Sequence, residues 1–496
     1  MRGGDGTGSS SHVVVVGGGI TGLSAAFYLE RAAQAAGLPL RYTLIEAASR
    51  LGGKLQTERI ELPEPGAGSF LVEAGPDSFV TSKPWGLELV RELGLESQLI
   101  GTNPARRRVY VLVRGRPCPM PEGMQLGVPT RWLPFLRSPV LSPLGKLRVA
   151  LDLIIPPRRG DGDETLGSFI RRRLGAEALD RIAEPLLAGI YNAESDRQSL
   201  LATFPQFREM EKTYGSLIRG MLAARARATG RSGGSAFVAL RSGMGELVVA
   251  LAARLNGRVL LGRRVEGITY RSGTVQPYQV HLDDGEALVA DAVVLAASAR
   301  AAASLVEHFE PGLAAALRQI RYVSTATVSL AYREPAPAAF RDGYGLIIPR
   351  SEGRRINALT LVSHKFEGRA PEGYLLVRAF VGGSRNPQVL SLDDAVLVAL
   401  VSQEVEALLG LCGEPLLARV YRWLESSPQY DAGHLDRVAE LEARCPPGLF
   451  LAGSSYRGVG IPDCIRQGKE CAQQVVRFLQ GHRNTMASLS PETART

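Results

Sequence analysis

The chain has 496 residues, 45% of them hydrophobic, and a net charge of +9 in which arginine outweighs lysine. Its length exceeds the roughly 250 to 300 residues that one core sustains, which predicts several domains, and no run of about 18 apolar residues suggests a membrane span. The basic excess suits nucleic acid, an anionic membrane surface or a polyanionic small substrate, without choosing among them.

The opening "MRGGDGTGSSS" has no apolar signal core and reads as a flexible polar leader. The apolar run 13–16 predicts a buried strand, and Gly17-x-Gly19-x-x-Gly22 then opens an alanine-rich helix. Glycines there make a tight turn, let the backbone approach a pyrophosphate and aim free N–H groups at it. A second strand, 42–45, ends in Glu46, where a carboxylate accepts ribose hydroxyls. Together these features predict a dinucleotide site, for NAD or FAD. Next comes "SRLGGKLQT", with Gly52-Gly53 between Arg50 and Lys54.

A further strand is expected at 70–72, and residues 133–228 read as mostly helical. Within that stretch, "LGKLRVALDLIIPPRR" (144–159) sets basic residues beside an apolar helix face, while "PRRGDGDE" and "ATGRSGGS" read as exposed connections. Strands recur at 259–261, 279–282, 292–295 and 449–451, so the strand-rich pieces predict one discontinuous domain. Near the end, "GLFLAG" runs into Gly458-Val459-Gly460 and a helix that starts near Pro462 and Asp463. The five cysteines form no C-x-x-C pair and point to the cytoplasm, with Cys464 and Cys471 as packed small residues. Six histidines without ligand spacing speak against a metal, and no Ser-His-Asp or paired-carboxylate arrangement is visible.

The segment around Gly52-Gly53 resembles the R-x-G-G-[RK] element of the flavin amine oxidase superfamily, which selects FAD and explains the second glycine turn. In that superfamily the flavin lies extended, and a helix N-terminus beside its ring stabilises the charge of the reduced form. More specifically, "GPDSF", "PMPEG", "EPLLAGIY", "TFPQF", "ESSPQY" and "GVGIPDCI" resemble the porphyrinogen oxidases of haem biosynthesis, closest to the soluble bacterial branch.

That resemblance implies an α/β fold: a Rossmann-like FAD domain of monoamine oxidase type, an α+β substrate domain and a helical domain. The expected boundaries are 1–85, 235–300 and 420–482 for FAD, 86–130 and 301–419 for substrate, and 131–234 for the helices. Implied contacts to a non-covalent FAD are Gly17, Gly18, Gly19, Ile20, Thr21, Gly22, Glu46, Ala47, Lys54, Gly75, Pro76, Asp77, Ser78, Val265, Trp423, Ile461, Pro462 and Asp463. Gly189 and Ile190 would orient the substrate at its reactive methylene, without an identified general base. Tyr344, Ile347 and Phe380 would line the same cavity, and Lys83 or Arg108 would hold a propionate. The implied reaction is oxygen-linked oxidation of coproporphyrinogen III, with protoporphyrinogen IX as the alternative and an amine or polyamine as a more distant one. The partners implied are a ferrochelatase that receives product and at most a weak peripheral membrane contact, with no nucleic acid.

Overall fold

The computed structural model describes residues 10–62, 68–228, 234–333 and 337–489. Most of the expected leader and the centre of the glycine-rich connection lie outside the described residues. Five parallel strands form the first sheet, in the order Arg258–Leu261, Leu40–Glu46, Ser11–Val16, Ala292–Leu295, Leu449–Leu451. The continuous valine run of Ser11–Val16 is buried throughout, as expected of a parallel strand covered on both faces. On one face pack the helices Ile20–Ala35 and Ile461–Leu489. On the other pack Ala299–Val306, Pro311–Arg318 and a small antiparallel sheet. The first helix lies close to the sheet because Gly22 has no side chain: a Cβ there would sit 1.8 Å from the carbonyl oxygen of Gly17.

The second large sheet has seven strands, in the order Leu417–Pro428, Tyr322–Tyr332, Leu375–Gly382, Ala358–Leu361, Gly343–Ile347, Arg108–Val113, Arg116–Pro119. Alternation along Leu375–Gly382 sends Leu375, Val377, Ala379 and Val381 into a core shared with the helix Asp394–Leu409. Leu376, Arg378 and Phe380 therefore share the opposite face. The helical region closes around Phe169, Phe207 and Ile218. Arg173, wholly buried there, donates to Asp152 at 2.5 Å and to the carbonyl of Gly215 at 2.8 Å, which keeps its charge paired.

The expected domain boundaries shift in three places. Strand Leu417–Pro428 pairs with Tyr322–Tyr332, so a boundary at 420 would cut it. Helices Ala299–Val306 and Pro311–Arg318 pack on the nucleotide sheet, which moves 301–321 to that side. Helix Pro84–Glu92 and strand Leu99–Gly101 join the same side, since Leu89, Val90 and Leu93 enter its core. Apolar periodicity reveals that a helix has a buried face but not which core receives it.

Candidate active site

A cleft of ≈ 830 Å³ opens at the C-terminal ends of the parallel strands, where open α/β sheets bind ligands. Glu46 closes one end: its Oε2 accepts from the Gly18 N–H at 2.6 Å and its Oε1 from the Ala48 N–H at 2.8 Å. Ala47 and Val265 lie beside it, Gly17, Gly19, Ile20 and Thr21 line the middle, and Lys54, Pro76 and Ile461 reach the far end. Gly18 and Gly22 shape the turn from behind. Arg50 does not reach the cleft, because it donates to the carbonyls of Leu51 and Gly53 and fixes the glycine doublet. The arrangement fits an extended dinucleotide: a carboxylate at one end, open backbone N–H groups midway and a cation beyond. Burial pushes the Lys54 ammonium below its ordinary pKa, and its one hydrogen bond among the described residues is to the Ser426 carbonyl, so an anion is wanted beside it.

Lys54, Pro76, Ser426, Ser454 and Val459 also border a second cavity of ≈ 250 Å³. Its floor is the turn Gly75-Pro76-Asp77, which crosses so near Lys54 that a Cβ on Gly75 would lie 2.0 Å from the Lys54 carbonyl. Side chains hold that turn at both ends. Trp423 Nε1 and Thr327 Oγ1 donate to the Ala74 carbonyl at 2.9 and 3.1 Å, and Arg378 donates to the Gly75 carbonyl. Lys365 Nζ donates to both oxygens of Asp77 at 2.9 Å, and Ser78 Oγ donates to Oδ1 at 2.7 Å. Burial opposes ionisation of Asp77, yet the Lys365 ammonium and the Arg378 guanidinium hold its carboxyl well below the usual range.

Ile190, Tyr191, Asn192 and Phe380 complete the wall. The first three follow a ten-residue π-helix, Leu179–Ala188, that contains Pro185. Such widened turns recur at functional sites. Gly189 and Ile190 are exposed just after it, and of the two only Ile190 lines the cavity. Asn192 (φ 53) in the inner wall and Glu425 (φ 43) in the outer one adopt a conformation rare for residues with side chains. Past Asp77 and Lys365, a hollow of ≈ 590 Å³ is lined by Tyr344, Phe237 and Arg107.

Several of the expected site residues make contacts that the resemblance did not imply. Lys83 donates to Asp463 at 2.6 and 2.7 Å, so these two, expected on different ligands, neutralise each other. Arg108 pairs with Asp342 at 2.6 Å, while its neighbour Arg107 faces the hollow and Arg106 lines another beside Arg341. Ile347 packs into the helical core, Pro462 lies against Gly86, and Ser78 serves Asp77 and Lys365. Trp423 lines the inner cavity and not the outer cleft. Sequence reasoning missed Lys365, Thr327, Asn192, Ser426 and Arg378. For Arg378 a signal existed, as it is the lone charge in the apolar run "LLVRAFVGG".

A nucleotide cleft and a sheet-walled cavity that share one wall define a flavin-dependent oxidoreductase. Residues 20–476 match the flavin containing amine oxidoreductase family, and the chain belongs to it. It is 38% identical to a coproporphyrinogen III oxidase of Bacillus subtilis, over 94% of this chain and 98% of that protein. It is 39% identical to one of Propionibacterium freudenreichii, over 94% of this chain and 91% of that protein. A crystal structure from Exiguobacterium sp. 255-15, provisionally assigned as a protoporphyrinogen oxidase, superposes with a TM-score of 0.81 at 33% identity, over 95% of this chain and 99% of that one. The outer cleft is the candidate site for its FAD.

Proposed function

We propose that this flavoenzyme oxidises coproporphyrinogen III to coproporphyrin III in haem biosynthesis, with molecular oxygen as acceptor. The inner cavity carries the reading. Its walls are apolar at Ile190, Phe380 and Val459 and cationic at Lys54 and Arg378, while its one carboxylate, Asp77, is already held by Lys365. Such a wall attracts a macrocycle bearing carboxylates and repels an ammonium ion, which disfavours amine and polyamine substrates. The near full-length relatives named coproporphyrinogen III oxidase support the same substrate.

Bound FAD supplies a two-electron acceptor, so three cycles, each reducing one O2 to hydrogen peroxide, account for the six electrons lost on aromatisation. The protein's part is to place a methylene bridge. Ile190 presses on the macrocycle from the π-helix side, with Gly189 just before it in the chain, and Phe380 offers a flat apolar wall. Burial raises the Tyr191 hydroxyl far above neutrality and Asp77 stays ionised in its pair. Neither is poised to exchange a proton near neutral pH, and pyrrole protons leave to water.

Side-by-side turnover of coproporphyrinogen III and protoporphyrinogen IX tests the proposal. A kcat/KM at least about tenfold higher for the former is expected, since two charge-assisted contacts are lost with the two missing propionates. Equal or better protoporphyrinogen turnover would move the assignment to that substrate. Turnover of putrescine with neither porphyrinogen oxidised would overturn both.

A peripheral membrane contact belongs to the same reading. No helix among the described residues is long and apolar enough to cross a membrane. Yet Leu133, Leu136, Leu144, Leu147, Leu151 and Ile154 form an exposed apolar ridge, with Leu144 78% and Ile154 76% accessible. Arg137 and Lys146 stand among them, a composition suited to shallow, salt-sensitive docking on an anionic surface. Release of the product to a ferrochelatase would follow.

A further inference from the structure

Arg378 is buried to 4% exposure on an interior strand of the seven-stranded sheet, Leu375–Gly382, yet its guanidinium is only partly satisfied. Nη2 donates to the carbonyls of Gly75 and Ala74, while Nε has no partner and Nη1 makes no hydrogen bond among the described residues. A buried donor left unpaired is costly, and in native proteins it calls for a reason. Compensating charge is also short. Asp77 gives both oxygens to Lys365, and Asp463 gives both to Lys83. Two cations, Arg378 and Lys54, thus face the ≈ 250 Å³ inner cavity with no direct carboxylate partner among the described residues, Asp77 and Glu73 acting on Arg378 only from beyond ion-pair distance. The backbone fixes this direction, because Leu376, Arg378 and Phe380 share one face and Phe380 lies under the guanidinium, 5.0 Å from ring centre to Cζ.

We propose that Arg378 is a substrate-binding residue whose free N–H edge receives a carboxylate of the macrocycle in the inner cavity. The inference rests on the porphyrinogen reading and adds the residue that meets the acid group. Arginine suits the task, since its planar fork presents two parallel donors to a carboxylate and remains charged when dry. The carbonyls of Ala74 and Gly75 hold the fork in place before substrate arrives, so little side-chain entropy is lost on binding.

The test titrates holoenzyme with fluorescent coproporphyrin III and, in parallel, with its tetramethyl ester, which has the same ring and no carboxylates. Arg378→Met and Arg378→Gln are expected to weaken the acid about ten- to hundredfold while leaving the ester within about twofold. Equal loss of acid and ester would mean that Arg378 only braces the Gly75 turn, and unchanged acid binding would equally overturn the proposal. If those variants fail to retain flavin, Arg378→Lys decides, because it keeps the charge but not the fork. It should bind the acid several-fold more weakly and the ester as the parent does, and parent-like binding of both would remove Arg378 from the site. A parent enzyme that neither binds coproporphyrin III nor oxidises a porphyrinogen would refute the substrate reading itself, whereas parent binding without a variant effect refutes only the role of Arg378.

Discussion

Lys83 and Asp463 form a two-point ion pair, with Nζ 2.6 Å from Oδ2 and 2.7 Å from Oδ1, that ties the segment after "GPDSF" to the first turn of the last helix. Asp463 is nearly buried, so removing its partner leaves a carboxylate without its ion-pair partner beside the outer cleft. Lys83→Met is therefore expected to loosen the second glycine turn and weaken flavin retention several-fold. The ratio of coproporphyrinogen to protoporphyrinogen turnover should stay within about twofold of the parent. Flavin release measured by fluorescence, alongside both assays, checks this; a changed ratio with flavin held firmly would return Lys83 to the substrate.

A second prediction separates adjacent arginines. Arg107 lines the hollow beside Tyr344, whereas Arg108 is engaged by Asp342 on an exposed surface. Arg107→Met should raise KM for coproporphyrinogen III about tenfold with little change in kcat, the loss of one charge-assisted contact. Arg108→Met should leave kinetics within about twofold and cost less than about 1 kcal/mol of stability. Steady-state kinetics on both variants decides, and the reverse pattern would put the propionate at Arg108.

What the sequence made legible follows from local chemistry. The valine strand, the Gly17 turn and Glu46 are contiguous signals, and the structure places them at one cleft. The inner cavity was harder to read, because it assembles from the Gly75 turn, the segment after the π-helix and three strands distant in sequence. Motif matching located Phe380 and Ile190 there, but a cation's partner is chosen in three dimensions. Lys83 had no sequence mark to show that it would meet Asp463, 380 positions away. Lys365 meets Asp77 across 288 positions for the same reason.

Acid sensitivity is expected from His434. Its ring stacks on Tyr430 with centroids 3.9 Å apart, and its Nε2 lies 2.8 Å from the Tyr456 carbonyl. Tyr430 in turn donates to the Ser454 carbonyl and accepts from the Gly458 N–H, both at 2.7 Å, so this stack braces the second glycine turn. Burial lowers the His434 pKa from 6.5 to about 4. Between those values the unfolded chain binds the extra proton, so this contribution is complete above pH 6.5 and is lost as the pH falls towards 4, roughly 3 kcal/mol in all. His12 and His364 are lowered by burial too and add to the same slope. Denaturant titrations from pH 7.5 to 5 should show a flatter dependence for His434→Gln, with flavin release in the parent following the same curve. Identical slopes would discharge His434 from this role.

The apolar ridge makes the last prediction. Leu144 and Ile154 are exposed on the helical region, with no element covering them among the described residues. Burying such side chains in a lipid interface yields about 1.5 to 3 kcal/mol each when complete, and less at the shallow depth available to a ridge flanked by Arg137 and Lys146. Co-sedimentation with vesicles of mixed phosphatidylglycerol and phosphatidylcholine should capture part of the protein at low salt and lose most of it at 0.5 M salt, where the Debye length falls to roughly 4 Å. Leu144→Gln with Ile154→Gln should abolish capture while kcat on soluble substrate is unchanged, because neither residue lines the cleft or the inner cavity. Capture that persists in the double variant would place the contact elsewhere, and none at low salt in the parent would leave the ridge to a protein partner, such as the enzyme that takes up the product.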